Sequence, residues 1–336
     1  MVDPQRESSA AHRALRRAGQ VQSQLPILQL IALIGVFTYG AMSLPGLATW
    51  SSMKFILFLG CLIALSAMGQ TLLILMGGFD MSVAGFIVLG TMVLIIPDKW
   101  NIPYALALLI LIMAAAIVGG IAGQICHRLD LNPLIVTLAT GAVASGASVV
   151  ISGSSLLSGS PATPQFMRTI ASLNSGAFGT SIPPLVLITG AIVVIFAIVL
   201  HRTASGLRVF VTGANKTAAE YSLVKTRRIW TVCFAFSAVC SVLLGSILGA
   251  YNGGLNLSVG DPYLFLGVTA VFVGGTVFGG PGDFTRTVIG GLFLQVLTVV
   301  LIGKGFGPDD QQILYGIMLL IAVSIYGRGG RLRDRV

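Results

Sequence analysis

Ten apolar stretches follow one another along this sequence, most of them close to the roughly 20 residues that cross a bilayer as a helix. They run at about 25–45, 53–76, 82–96, 103–125, 132–153, 183–200, 229–250, 263–278, 285–302 and 311–327. The third, eighth and tenth are short. Inside lipid every backbone N–H and C=O must be paired within the protein, which leaves only helices and closed barrels. Continuous apolar runs of this length fit the helix. Charged residues make up 9% of the 336 and hydrophobic ones 55%, whereas soluble domains carry roughly 25% charged residues. The sequence therefore predicts an all-α polytopic membrane protein of about ten transmembrane helices. Its 42 glycines suit close helix packing in lipid.

The basic residues predict an orientation. With the N-terminus inside, the inner segments carry four in residues 1–24, then Arg128, six in 201–228, Arg286 and four after 327. That is sixteen of the twenty. The outer segments carry Lys54, Lys99, Arg168 and Lys304. Such a bias places both termini on the cytoplasmic side, on an even number of spans. Trp50 and Trp100 then fall at outer boundaries and Trp230 at an inner one. The net charge of +9 reflects these inner loops, not nucleic-acid binding. Residues 1–24 and 328–336 read as cytoplasmic tails, 154–182 as an outer loop and 201–228 as a basic inner loop.

A polar, glycine-rich break occurs twice. Gly77-Gly78-Phe79-Asp80-Met81-Ser82-Val83 returns as Gly253-Gly254-Leu255-Asn256-Leu257-Ser258-Val259. The first copy follows the second apolar stretch, which runs inward; the second follows the seventh, which runs outward. Matching breaks in two halves of opposite direction predict inverted-topology repeats and point to a transport path. Backbone that leaves the helix at membrane depth is tolerated only where protein buries it or water reaches it. Paired glycines can also simply bring helices close. Asp80 either caps the following helix or contacts solute. Asn256 at the matching place caps equally well, which favours capping.

No catalytic set is present. The chain lacks a G-x-x-x-x-G-K-[ST] phosphate loop and an H-E-x-x-H zinc motif. His12, His127 and His201 fall in or beside inner segments and read as part of the basic inner face. Cys61, Cys126, Cys233 and Cys240 have no metal-ligand spacing and read as packing residues, so no metal site is expected. None of the eleven acidic residues falls inside the ten stretches, and Asp80 stands at the first Gly-Gly break, whereas ion-driven carriers keep carboxylates in their path. Gln70, Gln124, Thr137, Thr140 and Gln295 are left as candidate path-lining groups, suited to a neutral, hydroxyl-rich solute. Energy would then enter from elsewhere, and the inner loop is the natural docking place.

Four segments together resemble one family. Residues 77–83 are similar to a GG-x-D-L-S-V-G signature. Asn132-Pro133-Leu134-Ile135-Val136-Thr137-Leu138-Ala139-Thr140 resembles N-P-F-I-x-T-L-x-T. Gly213-Ala214-Asn215-Lys216-Thr217-Ala218-Ala219-Glu220-Tyr221-Ser222 resembles G-x-N-x-x-A-A-x-x-S-G. Val273-Gly274-Gly275-Thr276-Val277-Phe278-Gly279-Gly280-Pro281-Gly282 resembles L-G-G-T-S-L-x-G-G-x-G. These are the marks of the ribose/xylose/arabinose-type permeases of bacterial ABC importers, within the branched-chain amino acid and monosaccharide permease superfamily. Order and spacing agree along essentially the whole chain. Departures are Leu223 in place of a glycine after Ser222, Ala84-Gly85 in place of Gly-Ser, and an Asn252-Gly253-Gly254 run.

The resemblance implies a type II importer fold, with residues 25–327 forming one permease domain in the bacterial inner membrane. It implies a second permease copy or paralogue, cytoplasmic ATPase subunits that hold ATP and Mg, and a periplasmic or lipid-anchored binding protein. The solute would be small and neutral, a monosaccharide by the family's habit. Gly213, Ala214, Asn215, Ala218, Ala219, Glu220 and Ser222 would form the coupling loop, as a short helix over 213–222 entering an ATPase cleft. Ala218 and Ala219 would allow close approach, and Glu220 would meet a basic partner group. Asn132, Pro133, Thr137, Thr140, Gly274, Gly275, Gly279 and Gly280 would join Gly77, Gly78, Asp80, Ser82, Gly253, Gly254, Asn256 and Ser258 along the path. An ion-coupled secondary carrier, a passive channel and a non-transporting membrane scaffold are the alternative readings.

Overall fold

A computed structural model describes residues 26–153, 163–173 and 181–326. The expected tails, 1–24 and 328–336, lie outside the described residues, as does most of the outer loop expected at 154–182. The regular elements are helices. Ten coincide with the ten apolar stretches: α1 (Ile27–Ser43), α2 (Trp50–Leu75), α3 (Val83–Thr91), α5 (Tyr104–Arg128), α6 (Pro133–Ser152), α8 (Pro184–Arg202), α11 (Thr226–Asn252), α12 (Asp261–Val273), α13 (Phe284–Gly303) and α14 (Pro308–Tyr326). Three short helices were not anticipated as separate elements, α4 (Ile96–Trp100), α7 (Gln165–Ile170) and α9 (Ala204–Ala214), while α10 (Lys216–Tyr221) falls within the short helix expected over 213–222. By length and composition α2, α5, α6, α8, α11 and α13 can each cross a membrane. α1, α3 and α12 are shorter, and α14 carries Asp309 and Asp310 in its first turn.

Local chemistry sets several boundaries. Asn132 starts α6: its side chain accepts a hydrogen bond from the Leu134 N–H at 3.0 Å, and Pro133 occupies the first turn, where its missing N–H costs nothing. α2 ends in a Schellman turn. The Gly78 N–H donates to Leu73 O at 2.7 Å and the Gly77 N–H to Ile74 O at 3.0 Å. Gly77 takes φ +77°, a left-handed conformation in which a side chain would be strained. The eighth stretch, expected to stay helical to 278, leaves the helix after Val273. The cause is backbone packing: a Cβ at Gly274 would stand 2.7 Å from Arg286 O. The third stretch likewise ends at Thr91, in a 3₁₀ turn at Met92–Leu94 followed by α4.

α2 and α11 form the centre. The most apolar 18 residues of α2 are 83% buried and those of α11 67%, against 17% for α8. Each central helix packs mainly on the other half of the chain. α11 lies against α3 and α5, while α2 lies against α12 and α13. α3 packs in turn on α6, and α12 on α14. Small residues permit this, as expected where lipid supplies no hydrophobic drive between helices. A Cβ at Gly90 of α3 would meet the Val242 carbonyl carbon of α11 at 2.9 Å, and one at Gly245 of α11 would meet the Ile87 carbonyl carbon at 2.9 Å. The outward faces of α5, α6 and α8 carry Met113, Ile117, Ile135, Val150, Val194 and Ile195, all exposed. A helical protein with this apolar exterior and polar groups inside is a polytopic membrane protein.

Candidate functional site

The site is built at the C-terminal end of α2. After Gly77 the chain runs non-helically to Ser82 and re-enters helix at Val83. This backbone is enclosed: Asp80 is 1% and Ser82 3% exposed. Buried backbone polar groups need partners, and side chains from two helices and from Asp80 itself supply them. Thr137 of α6 gives its hydroxyl proton to Pro133 O of its own helix, which frees a lone pair for the Met81 N–H at 2.9 Å. The Gln70 amide of α2 donates to Asp80 O. Asp80 Oδ1 accepts from the Ser82 N–H at 2.8 Å and from the Ser82 hydroxyl. Asp80 Oδ2 accepts from the Ser237 hydroxyl of α11 at 2.6 Å. The carboxylate therefore does more than shape a turn before α3. It fastens the break to the central helix of the other half.

The other motif segments arrive at the same place. A Cβ at Gly213, in the last turn of α9, would stand 2.9 Å from the Leu75 carbonyl carbon and 3.0 Å from Met76 Cα, and closer still to Leu75 O. Gly279 takes φ +63° and donates its N–H to Ile74 O at 2.8 Å. A Cβ on Gly279 would be 3.2 Å from Gly213 O and 3.8 Å from Gly77 Cα. Gly77, Gly213 and Gly279 thus meet backbone to backbone. Gly275 is also left-handed, at φ +85°, and Gly280 closes a turn by donating to Val277 O at 3.1 Å. The Gln29 amide of α1 donates to Gly274 O at 3.2 Å, which ties α1 to the same stretch.

The second copy of the break repeats the local geometry in a different setting. Gly253 ends α11 at φ +64°. Asn256 Oδ1 accepts from the Ser258 N–H at 2.9 Å, as Asp80 does from Ser82. Asn256 and Ser258 are exposed, however, and Gly254 is half-buried. The two breaks approach each other where they lead into α3 and α12. A Cβ at Gly260, which precedes α12, would meet the Ala84 carbonyl carbon of α3 at 2.9 Å.

The segment 201–228 departs from expectation in three ways. The helix expected over 213–222 is α10, Lys216–Tyr221, and Gly213 and Ala214 belong to α9. Asn215 makes the division: it is extended, and its side chain accepts from the Ala218 N–H at 2.9 Å. Ala219 is wholly buried within the chain and cannot enter a partner's cleft. Glu220 is bound internally, accepting from the Thr226 hydroxyl at 2.7 Å beside His127 Nε2 at 3.4 Å. Lys216 Nζ reaches Asp130 Oδ1 at 3.0 Å. These contacts fasten α10 to the C-terminal end of α5. Ala214, Thr217, Ala218, Tyr221 and Ser222 are left exposed.

His127 was grouped with the basic inner face, yet it lies between Thr226 and Glu220 with its ring edge-on to Trp230. Gln124, expected along the path, accepts from Arg227 at 3.1 Å. Thr140 bonds to carbonyls of its own helix, and Gln295 is buried. Ser237 and Thr226 were missed. Nothing local marks a serine in an apolar helix as the partner of a residue 157 positions away.

The enclosed polar break, clamped between two central helices of an all-helical membrane protein, defines a membrane transport component. Residues 52–323 match the family described as branched-chain amino acid transport system / permease component, and the chain belongs to that family. It is similar to the autoinducer 2 import system permease protein LsrD of Photorhabdus luminescens, 27% identical over 263 residues that cover 78% of each chain. LsrD of Yersinia pseudotuberculosis serotype O:3 is 28% identical over the same share. No solved structure matches the chain.

Proposed function

We propose that this chain is the permease subunit of an ATP-driven, binding-protein-dependent importer of a neutral, hydroxyl-rich solute of the monosaccharide type. The observation that carries this reading is the composition of the buried centre. Ser66, Gln70, Thr71, Ser82, Ser237, Ser241 and Thr269 are buried on or beside α2 and α11, and Asp80 is the acidic group among them. Its carboxylate is occupied by Ser82 and Ser237. Uncharged donors and acceptors suit hydroxyl groups, and an occupied carboxylate offers an ion gradient little to act on. The LsrD relatives make autoinducer 2 the first solute to test.

The ten helices are read as ten spans in two inverted repeats. The exchanged packing supports this: α2 with α12 and α13 corresponds to α11 with α3 and α5, and α3 on α6 to α12 on α14. The distribution of Lys and Arg supports cytoplasmic termini. ATP and Mg belong to a partner ATPase that docks on α9 and α10. A second permease copy or paralogue completes the pore, and a solute-binding protein delivers to the outer face.

The test is uptake into proteoliposomes that hold the permease, its ATPase and its binding protein. Uptake should require all three and ATP. Uptake that follows an ion gradient without the ATPase would make the chain a secondary carrier. Conductance without solute or ATP would make it a channel. One substitution locates the coupling surface. Ala218→Trp, on the exposed face of α10, is expected to reduce solute-stimulated ATP hydrolysis at least about ten-fold, as overfilling a packed contact does. Its folding should be unaffected, because Ala218 buries nothing. Wild-type coupling by this variant would move the docking surface off α10.

A further inference from the structure

The turn after α10 holds a leucine where backbone geometry disfavours any side chain. The Val224 N–H donates to Ala219 O at 3.0 Å and the Leu223 N–H to Glu220 O at 3.0 Å. This pair defines a Schellman turn, whose residue between helix and exit chain is left-handed and is usually glycine. Leu223 occupies it with φ +61°. A left-handed conformation crowds Cβ against the following carbonyl. Strain of this kind is commonly offset by packing of the side chain, but Leu223 is 89% exposed. Tyr221, two residues earlier, is 86% exposed. Neither contributes to the core of this chain.

The surroundings describe what would cover them. Leu223 lines an open cleft of about 900 Å³ whose walls include Gln124, Lys225, Arg227 and Arg228. The acidic residue on that wall, Glu220, is already engaged by Thr226 and His127. The cleft is therefore positive with an apolar projection at its edge. The adjoining exposed face of α10, with Thr217 and Ala218 beside Tyr221, is small and polar. Such a face suits close approach by a folded protein better than contact with acyl chains.

We infer that Leu223, with Tyr221, is an apolar anchor that enters a pocket of the cytoplasmic ATPase subunit, and that carboxylates at the rim of this pocket meet Lys225 and Arg228. The inference rests on the importer reading above and adds the residues that select the partner. Two backbone hydrogen bonds hold the leucine in place before contact, so little freedom is lost on docking.

The experiment uses the full permease with its ATPase, in detergent. Leu223→Gly relieves the left-handed strain and removes the anchor. Its melting temperature is expected to equal or exceed that of wild type, while affinity for the ATPase falls roughly ten-fold or more, as for truncation of a buried apolar contact. Leu223→Asp should bind more weakly still, since it sets a carboxylate against carboxylates. Affinity of Leu223→Gly within two-fold of wild type would overturn the inference. So would a defect confined to vesicles containing anionic phospholipid and absent in detergent, because the leucine would then be a lipid contact. Ala218→Trp separates the two levels. If it disrupts binding while Leu223→Gly does not, the anchor alone is wrong. If neither disrupts binding, the ATPase does not dock on this surface and the coupling assignment falls with the anchor.

Discussion

Gly213→Val is expected to abolish uptake and to lower the yield of folded permease. Gly213 lies in α9, and in an isolated helix any residue but proline would be at least as favourable, alanine by about 1 kcal/mol. Here the sign reverses. A Cβ at this position meets the backbone of Leu75 and Met76 at 3.0 Å or less. Those atoms cannot turn aside as a flexible side chain would. They belong to the last turn of α2, held by the Schellman bonds of Gly77 and Gly78 and by the Gly279 N–H on Ile74 O. α9 would have to move away from α2, which parts Gly213 from Gly279 and the 201–228 segment from the break. Overpacking of this kind costs about 1–3 kcal/mol in soluble cores, and more when backbone must shift. Thermal melting in detergent and reconstituted uptake check it, with Gly213→Ala showing a smaller loss of the same sign. An alanine variant that melts above wild type would show that helix propensity governs here and that the α9–α2 contact is loose.

Asp80→Ala should leave the chain inserted but uptake lost. The substitution removes the acceptor of the Ser82 N–H, the Ser82 hydroxyl and the Ser237 hydroxyl, all buried. Each buried donor without a partner costs about 1–3 kcal/mol, so the total is several kcal/mol, concentrated at the link between the break and α11. Asp80→Asn is the informative comparison. Its carbonyl oxygen can keep the Ser82 N–H, and its amide can donate to the Ser237 oxygen, as Asn256 serves the Ser258 N–H at the second break. If the carboxylate acts as a clamp, Asp80→Asn retains most of the uptake that Asp80→Ala loses. A folded Asp80→Asn without uptake would mean that the charge itself acts on solute. Full uptake by Asp80→Ala would remove the clamp from the mechanism.

The chain's own chemistry determined where helices form and where they stop. Ten apolar stretches each hold a helix because the hydrocarbon thickness and the need to pair every backbone group leave few other solutions. Gly77 and Gly253 stand at left-handed ends of long helices, and Asp80 and Asn256 each bind the N–H two residues on. These are local effects, set by neighbours within a few positions, so a linear reading reaches them. Orientation was not legible in the same way. Ala219 and Ala218 are alike in sequence, yet one is buried and the other exposed. Glu220 looked available to a partner and is held by Thr226 and His127. The two breaks align without a gap and share both glycines, the serine and the valine, but the first is enclosed and the second open, because only the first has Gly213, Gly279, Thr137 and Ser237 brought against it. Thr137 lies 56 and Ser237 157 positions away from the group each meets, and Gly279 is further still from Ile74. In helices that are apolar on every side, no periodic pattern says which face turns inward. Packing of backbone against glycine, and the pairing of each buried polar group, decided that.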